Sequence, residues 1–268
     1  MIQLQRHAMT SGFDSASLRP GTLAMGHFLN VDHFRMTHPT FPPHPHAGFS
    51  ALTYMLPWSA GTFVNRDSQG NRSLIGPGDF HWTLAGAGMI HEEIPETPGI
   101  TSEGLQIFLK LPEADELRPP TSYHATAAEI PVVSSDGGDI RIIFGRLGET
   151  ESHIPTYAGS TLLHATVRSA LSLEIPNASQ AFFLVLRGNG SIGAERFAQG
   201  NAGSISAGTL SLTGNADVLI GWSDPMPRQP QFQGPFCMFQ PERLSAANTA
   251  YRQGQMGALS ASPVAWVR

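Results

Sequence analysis

Cysteine is almost absent: Cys237 is the only one in 268 residues. No intrachain disulfide can form, and a reducing compartment fits best. Between Phe236 and Met238 that cysteine reads as a small buried apolar residue rather than a nucleophile. Charge is sparse as well. Charged residues make up 14% of the chain, and 16 Lys+Arg against 21 Asp+Glu leave a net charge of -5. No basic field would draw a polyanion, so neither nucleic acid nor an acidic membrane surface is expected as a direct ligand. Long apolar runs are missing: no stretch approaches the roughly eighteen residues that would span a bilayer. The N-terminal MIQLQRHAMTSG lacks the apolar core of a secretory signal, and a cytoplasmic protein is expected. A G-x-S-x-G elbow, a Walker loop and a paired-cysteine set are absent too, which removes the usual sequence marks of an α/β-hydrolase and a P-loop NTPase.

What is abundant is punctuation. With 28 glycines and 21 prolines the chain is cut into short segments, too short for long helices. FSALTYML (49–56), LQIFLKL (105–111), IRIIFG (140–145), QAFFLVL (180–186) and DVLIGW (217–222) are apolar runs bounded by Gly, Pro or Asn, and read as buried strands of a sandwich or barrel. Helical character is expected only at PERLSAANTAYRQGQ (241–255), which opens with proline and precedes Gly257. LPEADELRPPTSYHATAAEIP (111–131) has no apolar periodicity and reads as a linker. The length suits two domains, set at 1–128 and 129–268.

The halves resemble one another. An ungapped shift that carries Ala51 onto Ala181 also carries Leu56 onto Leu186, Gln69-Gly70-Asn71 onto Gln199-Gly200-Asn201, Ile75 onto Ile205 and Gly78 onto Gly208. The shift pairs His44 with Glu174, His46 with Pro176, His91 with Gly221 and Glu93 with Ser223. A constellation lost together in one copy points to a removable function in the other.

That constellation is His44-Pro45-His46 with His91-Glu92-Glu93. Side chains alternate along a strand, so His44 and His46 share a face, as do His91 and Glu93, while Glu92 points away. On neighbouring strands the two pairs would converge. Three imidazoles and a carboxylate suit a divalent first-row metal such as iron, copper, nickel, manganese or zinc, and four protein ligands leave open positions on a six-coordinate ion. Other patterns yield the blander reading. Gly188, Gly190 and Gly193 form a G-x-G-x-x-G with no crossover helix after it, and read as a hairpin turn. His81, beside Trp82, could support the metal ligands from behind, but reads first as a core or solvated histidine. His7, His27, His33, His38, His124, His153 and His164 lack partners at ligand spacing.

The runs FPPHPHAGFSALTYM, RDSQGNRSLIGPGDFHWTLAGAGMIHEEIP, GLQIFLKLP and QGPFCMFQPERLSAANTAYRQGQMG resemble the pirin family of the cupin superfamily. The resemblance implies an all-β protein of two tandem jelly-roll-like cupin barrels with a short C-terminal helix. It implies an N-terminal barrel that binds one divalent transition metal through His44, His46, His91 and Glu93, and a C-terminal barrel without those ligands. Fe(II) is the first choice of metal, with Cu, Ni, Mn and Zn as alternatives. The activity implied is that of a quercetin 2,3-dioxygenase, acting on a small aromatic substrate with dioxygen. Glu93 would serve as ligand and base by turns, and Phe41, Phe49, Trp82, Met89 and Phe108 would line a flat pocket. The alternatives are a metal-containing regulatory protein that binds a protein partner without turnover, and an isomerase or lyase that uses the metal as a Lewis acid. Family members usually carry Arg, Glu, His, Arg and His at the positions of Ala47, Ser50, Asn65, Ala87 and Glu103, so an anionic substrate or partner would meet a different field here.

Overall fold

Short apolar runs closed by Gly and Pro cannot bury their two faces alone, and in the computed structural model they do so by pairing into sheets that curl into barrels. The structure describes residues 1–21 and 23–260. The chain divides into two compact units. One comprises Arg6–Ser15, Asn30–Ala127 and the chain from Pro227 onward; the other comprises Met1–Gln5, Ala16–Leu29 and Ala128–Met226. They are called here the first and second barrels.

A seven-stranded sheet, most of it in the first barrel, runs Thr121–Ala125, Phe80–Leu84, Phe49–Met55, Ser102–Lys110, Phe28–Met36, Phe13–Leu18 and Arg6–Thr10. A four-stranded sheet runs His44–His46, Met89–Pro95, Phe63–Asp67 and Arg72–Ile75. The segment expected to be a linker does contain the passage from one unit to the other, at Ala127/Ala128, but it is built into the first unit as far as Ala127. Its residues Thr121–Ala125 form an edge strand against Phe80–Leu84, because an edge strand needs only one buried face and so shows little apolar signal. Just before it, the buried Lys110 pairs with Glu116 at 2.7 Å, and Glu116 also accepts from the Phe239 N–H and from Arg243. That carboxylate thereby tethers the C-terminal segment. The helix Pro241–Arg252 lies within the stretch expected to be helical, and it buries Leu244 and Ala247 in a cluster with Ala47, Phe236 and Met238. Cys237 is fully buried there, and burial pushes its thiol up to about 12. The small-apolar reading of that residue holds.

In the second barrel the strands are longer. Gln180–Ile192 pairs along its whole length with Leu212–Ser223 of the strand Gly208–Ser223, and the two ends of this pair take part in what are separate sheets in the first barrel. At one end the order Ala170–Ile175, Gly208–Ser223, Gln180–Ile192, Glu195–Ala198 repeats the four-stranded order of the first barrel. Of the three glycines expected in a hairpin turn, Gly193 lies in one, while Gly188 and Gly190 lie on the strand that leads to it.

This topology corrects the ungapped alignment of the halves. The counterpart of the strand pair carrying His44 and His91 is Ala170–Ile175 against residues 208–213. Gly221 and Ser223 instead lie at the far end of their strand, opposite Phe182 and Gln180. The slippage arises because residues 56–62 separate Phe49–Met55 from Phe63–Asp67, whereas Gln180–Ile192 runs through with only a bulge between Val185 and Arg187. Glu174 points outward beside Thr209. The inward positions of these strands are Leu171, Leu173, Ile175, Leu210 and Leu212, part of one apolar core.

Candidate metal centre

His44 and His91 are direct cross-strand partners, and His46 faces Met89 in the same ladder. Opposed residues share a face, so the three imidazoles meet inside the first barrel. Their ring centroids form a nearly equilateral triangle, with sides of 4.8, 4.8 and 4.9 Å. One ring nitrogen of each lies within 4.8 Å of those of the other two. The turn after the strand is tight. Gly48 has φ +81°, and a Cβ there would sit 2.1 Å from the Cys237 carbonyl oxygen, which explains glycine at that position.

The hydrogen bonds select the ring nitrogen each histidine presents. His44 Nδ1 lies 2.9 Å from the Pro42 carbonyl, and His91 Nδ1 lies 3.2 Å from Asn65 Oδ1. A carbonyl oxygen only accepts, so each Nδ1 carries the proton and each Nε2 keeps a free lone pair. The buried His46 has the Pro235 backbone near its ring, but neither ring nitrogen has a hydrogen bond of normal geometry among the described residues. An orphaned buried group of this kind costs about 1–3 kcal/mol unless something binds it. Burial pushes all three imidazoles below the ordinary 6.5, His46 and His91 well below, with the neighbouring imidazoles adding to the effect on those two. Neutral imidazoles are the metal-binding form. The donor set therefore fits a divalent transition metal: the His44, His46 and His91 group could hold one.

Glu93 sits on the His91 side of the same strand, opposite Asn65. Its carboxylate accepts a 2.5 Å hydrogen bond from the Thr53 hydroxyl, and burial raises it to about 7. Glu92 turns to the other face, where it is fully buried and ion-paired with Arg66. Phe49 and Phe108 pack edgewise on His46, with centroids at 5.0 and 5.4 Å, so these two expected pocket residues do border the triad. Met89 lies on the triad face as the partner of His46. Phe41 instead packs on Phe13, and Trp82, between His81 and Thr83 on its strand, points to the opposite face of the sheet.

Several contributors were not legible from spacing. Asn65 orients His91, and Thr83 approaches the same Nδ1 at 3.4 Å; Thr53 holds Glu93. Their signal lies in strand register, which brings Asn65 opposite Glu93. The other departures from the family pattern also have local roles. Ala47 bridges to Phe236, Ser50 is fully buried, the Ala87 N–H donates to the Arg118 carbonyl, and Glu103 is bound by His33 at 2.7 Å and Arg35 at 3.3 Å. Among the described residues no helix is long and apolar enough to cross a membrane.

Two antiparallel barrels in tandem, with a histidine cluster inside the first, define a two-domain cupin. Residues 4–109 match the family model described as Pirin. A pirin-like protein of Solanum lycopersicum is 30% identical over 251 residues, covering 89% of this chain and 84% of the relative. A Pseudomonas aeruginosa protein provisionally named a quercetin 2,3-dioxygenase is 28% identical over 274 aligned positions, covering 93% and 94% of the two chains. A crystal structure of quercetin 2,3-dioxygenase from Acinetobacter baumannii superposes with a TM-score of 0.85 over 96% of each chain, at 22% identity. The chain belongs to the pirin family.

Proposed function

We propose that the protein is a metal-dependent dioxygenase of flavonol-like aromatic substrates, of the quercetin 2,3-dioxygenase type. His44, His46, His91 and Glu93 would hold one divalent transition metal, with Fe(II) the favoured ion. The carrying observation is the triangle of three imidazoles, His46 and His91 buried and His44 partly so, two of them fixed by carbonyl oxygens so that Nε2 is free, beside a buried carboxyl. When bound, the ion supplies Lewis acidity, redox chemistry and open coordination positions for small oxygen ligands.

The chain's own groups supply the rest. Glu93, raised to about 7 by burial, is poised as the base that takes the 3-hydroxyl proton of a flavonol, and the Thr53 hydroxyl holds the carboxylate in place as it does so. Phe49 and Phe108 give a flat aromatic ring apolar walls beside His46 and exclude water. The overall reaction adds both atoms of dioxygen to the flavonol, opens its central ring and releases one carbon monoxide. The names of the Pseudomonas relative and the Acinetobacter neighbour accord with this reading.

The test is an assay of the metal-loaded protein on quercetin with and without oxygen, following the flavonol absorbance and carbon monoxide. Oxygen-dependent loss of the chromophore with about one carbon monoxide per flavonol is the expected result. Metal-loaded protein that leaves quercetin intact in air replaces this reading with that of a metal-containing binding or regulatory protein. Conversion of another substrate without oxygen would favour Lewis-acid isomerase or lyase chemistry.

A further inference from the structure

His81 and His124 carry polar atoms that the triad does not use. They are cross-strand partners on Phe80–Leu84 and Thr121–Ala125, with ring centroids 5.8 Å apart and ring planes at 49°. His81 is 1% exposed. Both of its ring nitrogens, together with Nδ1 of His124, are buried and lack a hydrogen-bond partner among the described residues. Folded proteins rarely leave buried ring nitrogens unmatched, because a neutral imidazole always carries one N–H that needs an acceptor.

Register shows where these groups sit. His124 faces His81, His81 faces Thr53, and Thr53 faces Gln106, so the four side chains form one row on one face of the sheet. Thr53 is the residue that binds Glu93, and Thr83, on the same face two residues after His81, approaches His91 Nδ1 at 3.4 Å. The row therefore runs from half-buried His124 to the metal centre. Burial, with His124 beside it, lowers His81 to about 3, so at neutral pH it presents one donor and one acceptor nitrogen. A hydroxyl, which also donates and accepts, complements that pair. A carboxylate can only accept and would face a bare lone pair.

We infer that His81 and His124 form a hydroxyl-recognising subsite beside the metal centre, which takes phenolic substituents of an aromatic ligand whose chelating oxygens lie at the triad. The inference rests on the flavonol reading and adds to it a determinant of which flavonols bind.

The probes are quercetin and 3-hydroxyflavone, which shares the chelating 3-hydroxyl and 4-keto pair but lacks the other hydroxyls. Affinities are measured without oxygen on the full-length, metal-loaded protein, with metal content as the control for an intact site. Quercetin is expected to bind about tenfold more tightly than 3-hydroxyflavone. His81→Phe and His124→Phe should bring that ratio close to unity, and His81→Gln, which keeps a donor and an acceptor, should retain most of it. Should His81→Phe lose its metal, the half-buried His124 carries the comparison. If both ligands bind and the ratio is the same in wild type and His124→Phe, the subsite is wrong while the flavonol reading stands. If neither ligand binds the metal-loaded wild type, the flavonol reading falls and the subsite falls with it.

Discussion

The same strand order encloses two different interiors. In the first barrel the short strands turn His44, His46, His91 and Glu93 inward. In the second, the corresponding strands turn in Leu171, Leu173, Ile175, Leu210 and Leu212, within a continuous apolar core. The second barrel keeps a polar cluster on the alternate face: Asp217 accepts from His164 at 3.0 Å, Thr166 at 2.8 Å and Arg187 at 2.5 Å, and His164 lies between the core residues Leu163 and Ala165. Every partner of Asp217 is a donor, so that cluster is satisfied internally. The ring nitrogens of His81 have no such partner among the described residues. A core filled with leucine stabilises the fold and has no free donor or acceptor, whereas the first barrel accepts the cost of buried imidazoles, which is the cost a binding site carries.

The largest expected effect separates the interiors by metal content. His46→Ala should lower the metal in protein purified without chelator from about one ion per chain to nearly none, because the remaining donors no longer enclose an ion. Leu173→Ala, at an inward position of the second barrel, should leave metal content unchanged and cost about 2–5 kcal/mol of stability through the cavity it creates. Wild-type protein holding close to two ions per chain would break the comparison outright.

Next comes the adjacent pair of acids, which tests the strand register. Glu92→Gln removes one partner of a buried ion pair with Arg66, and breaking such a pair costs about 3–5 kcal/mol. The variant should unfold at lower denaturant while its folded fraction keeps metal. Glu93→Gln retains shape and the contact with Thr53 but removes the charge proposed to balance the cation, so the fold should persist while metal affinity and flavonol turnover fall about tenfold or more. The reverse assignment, with metal lost from the Glu92 variant alone, would show that the register is wrong.

A smaller effect belongs to Asn65. Its side-chain oxygen fixes the His91 tautomer from 3.2 Å, and loss of such a partner lowers metal affinity about 10–100-fold. Asn65→Ala should do so, and Asn65→Asp, which keeps the acceptor, should recover most of the affinity. An unchanged affinity in Asn65→Ala would assign the orientation of His91 to packing alone.

These outcomes bear on what a sequence can show. The inward pairs His44/His46 and His91/Glu93 were legible because strand alternation is a strict period of two, and two such pairs need only adjacent strands to meet. Helix Pro241–Arg252 was legible from its proline start. Asn65 and Thr53 were not, and His81 was read first as a core or solvated residue, since each reaches the site through cross-strand register, and register depends on loop lengths that composition does not encode. Loop length also misled the internal alignment: the omission of a loop slid the second copy, so Glu174 and Gly221 were set against histidines whose true counterparts are inward leucines. The linker expectation failed at residues 121–125 because an edge strand packed on one face carries little apolar signal.

The finest contrast between the barrels is in acid, and it concerns the metal-free chain. In the first barrel burial lowers His46 and His91 well below 6.5 and His81 to about 3. A group whose pKa is depressed by folding contributes fully above its unfolded value, and that contribution is lost as pH falls toward the folded value. The histidines should therefore begin to destabilise the first barrel as pH drops through about 6.5, with His81 adding to the loss down to about 3. Glu93 acts with the opposite sign. Its pKa is raised from 4.5 to about 7, so its contribution is complete below 4.5 and lost as pH rises to about 7, which offsets part of the histidine effect. In the second barrel, hydrogen bonds from His164, Arg187 and Thr166 overcome a burial penalty and hold Asp217 at about 2. Its contribution survives until pH falls below 3.8. Denaturant unfolding of the metal-free protein at stepped pH, read from amide NMR signals of Leu52 and Ile107 in the first barrel and Leu163 and Val218 in the second, should show the first midpoint falling from about pH 6.5 and the second holding until about pH 4. Metal should delay the first transition, because a bound imidazole cannot take up a proton. His81→Gln should make it shallower without moving the second. Identical pH profiles at all four positions would mean that the buried imidazoles do not set the acid response of the first barrel, and the contrast between a polar and an apolar interior would then have no consequence for stability.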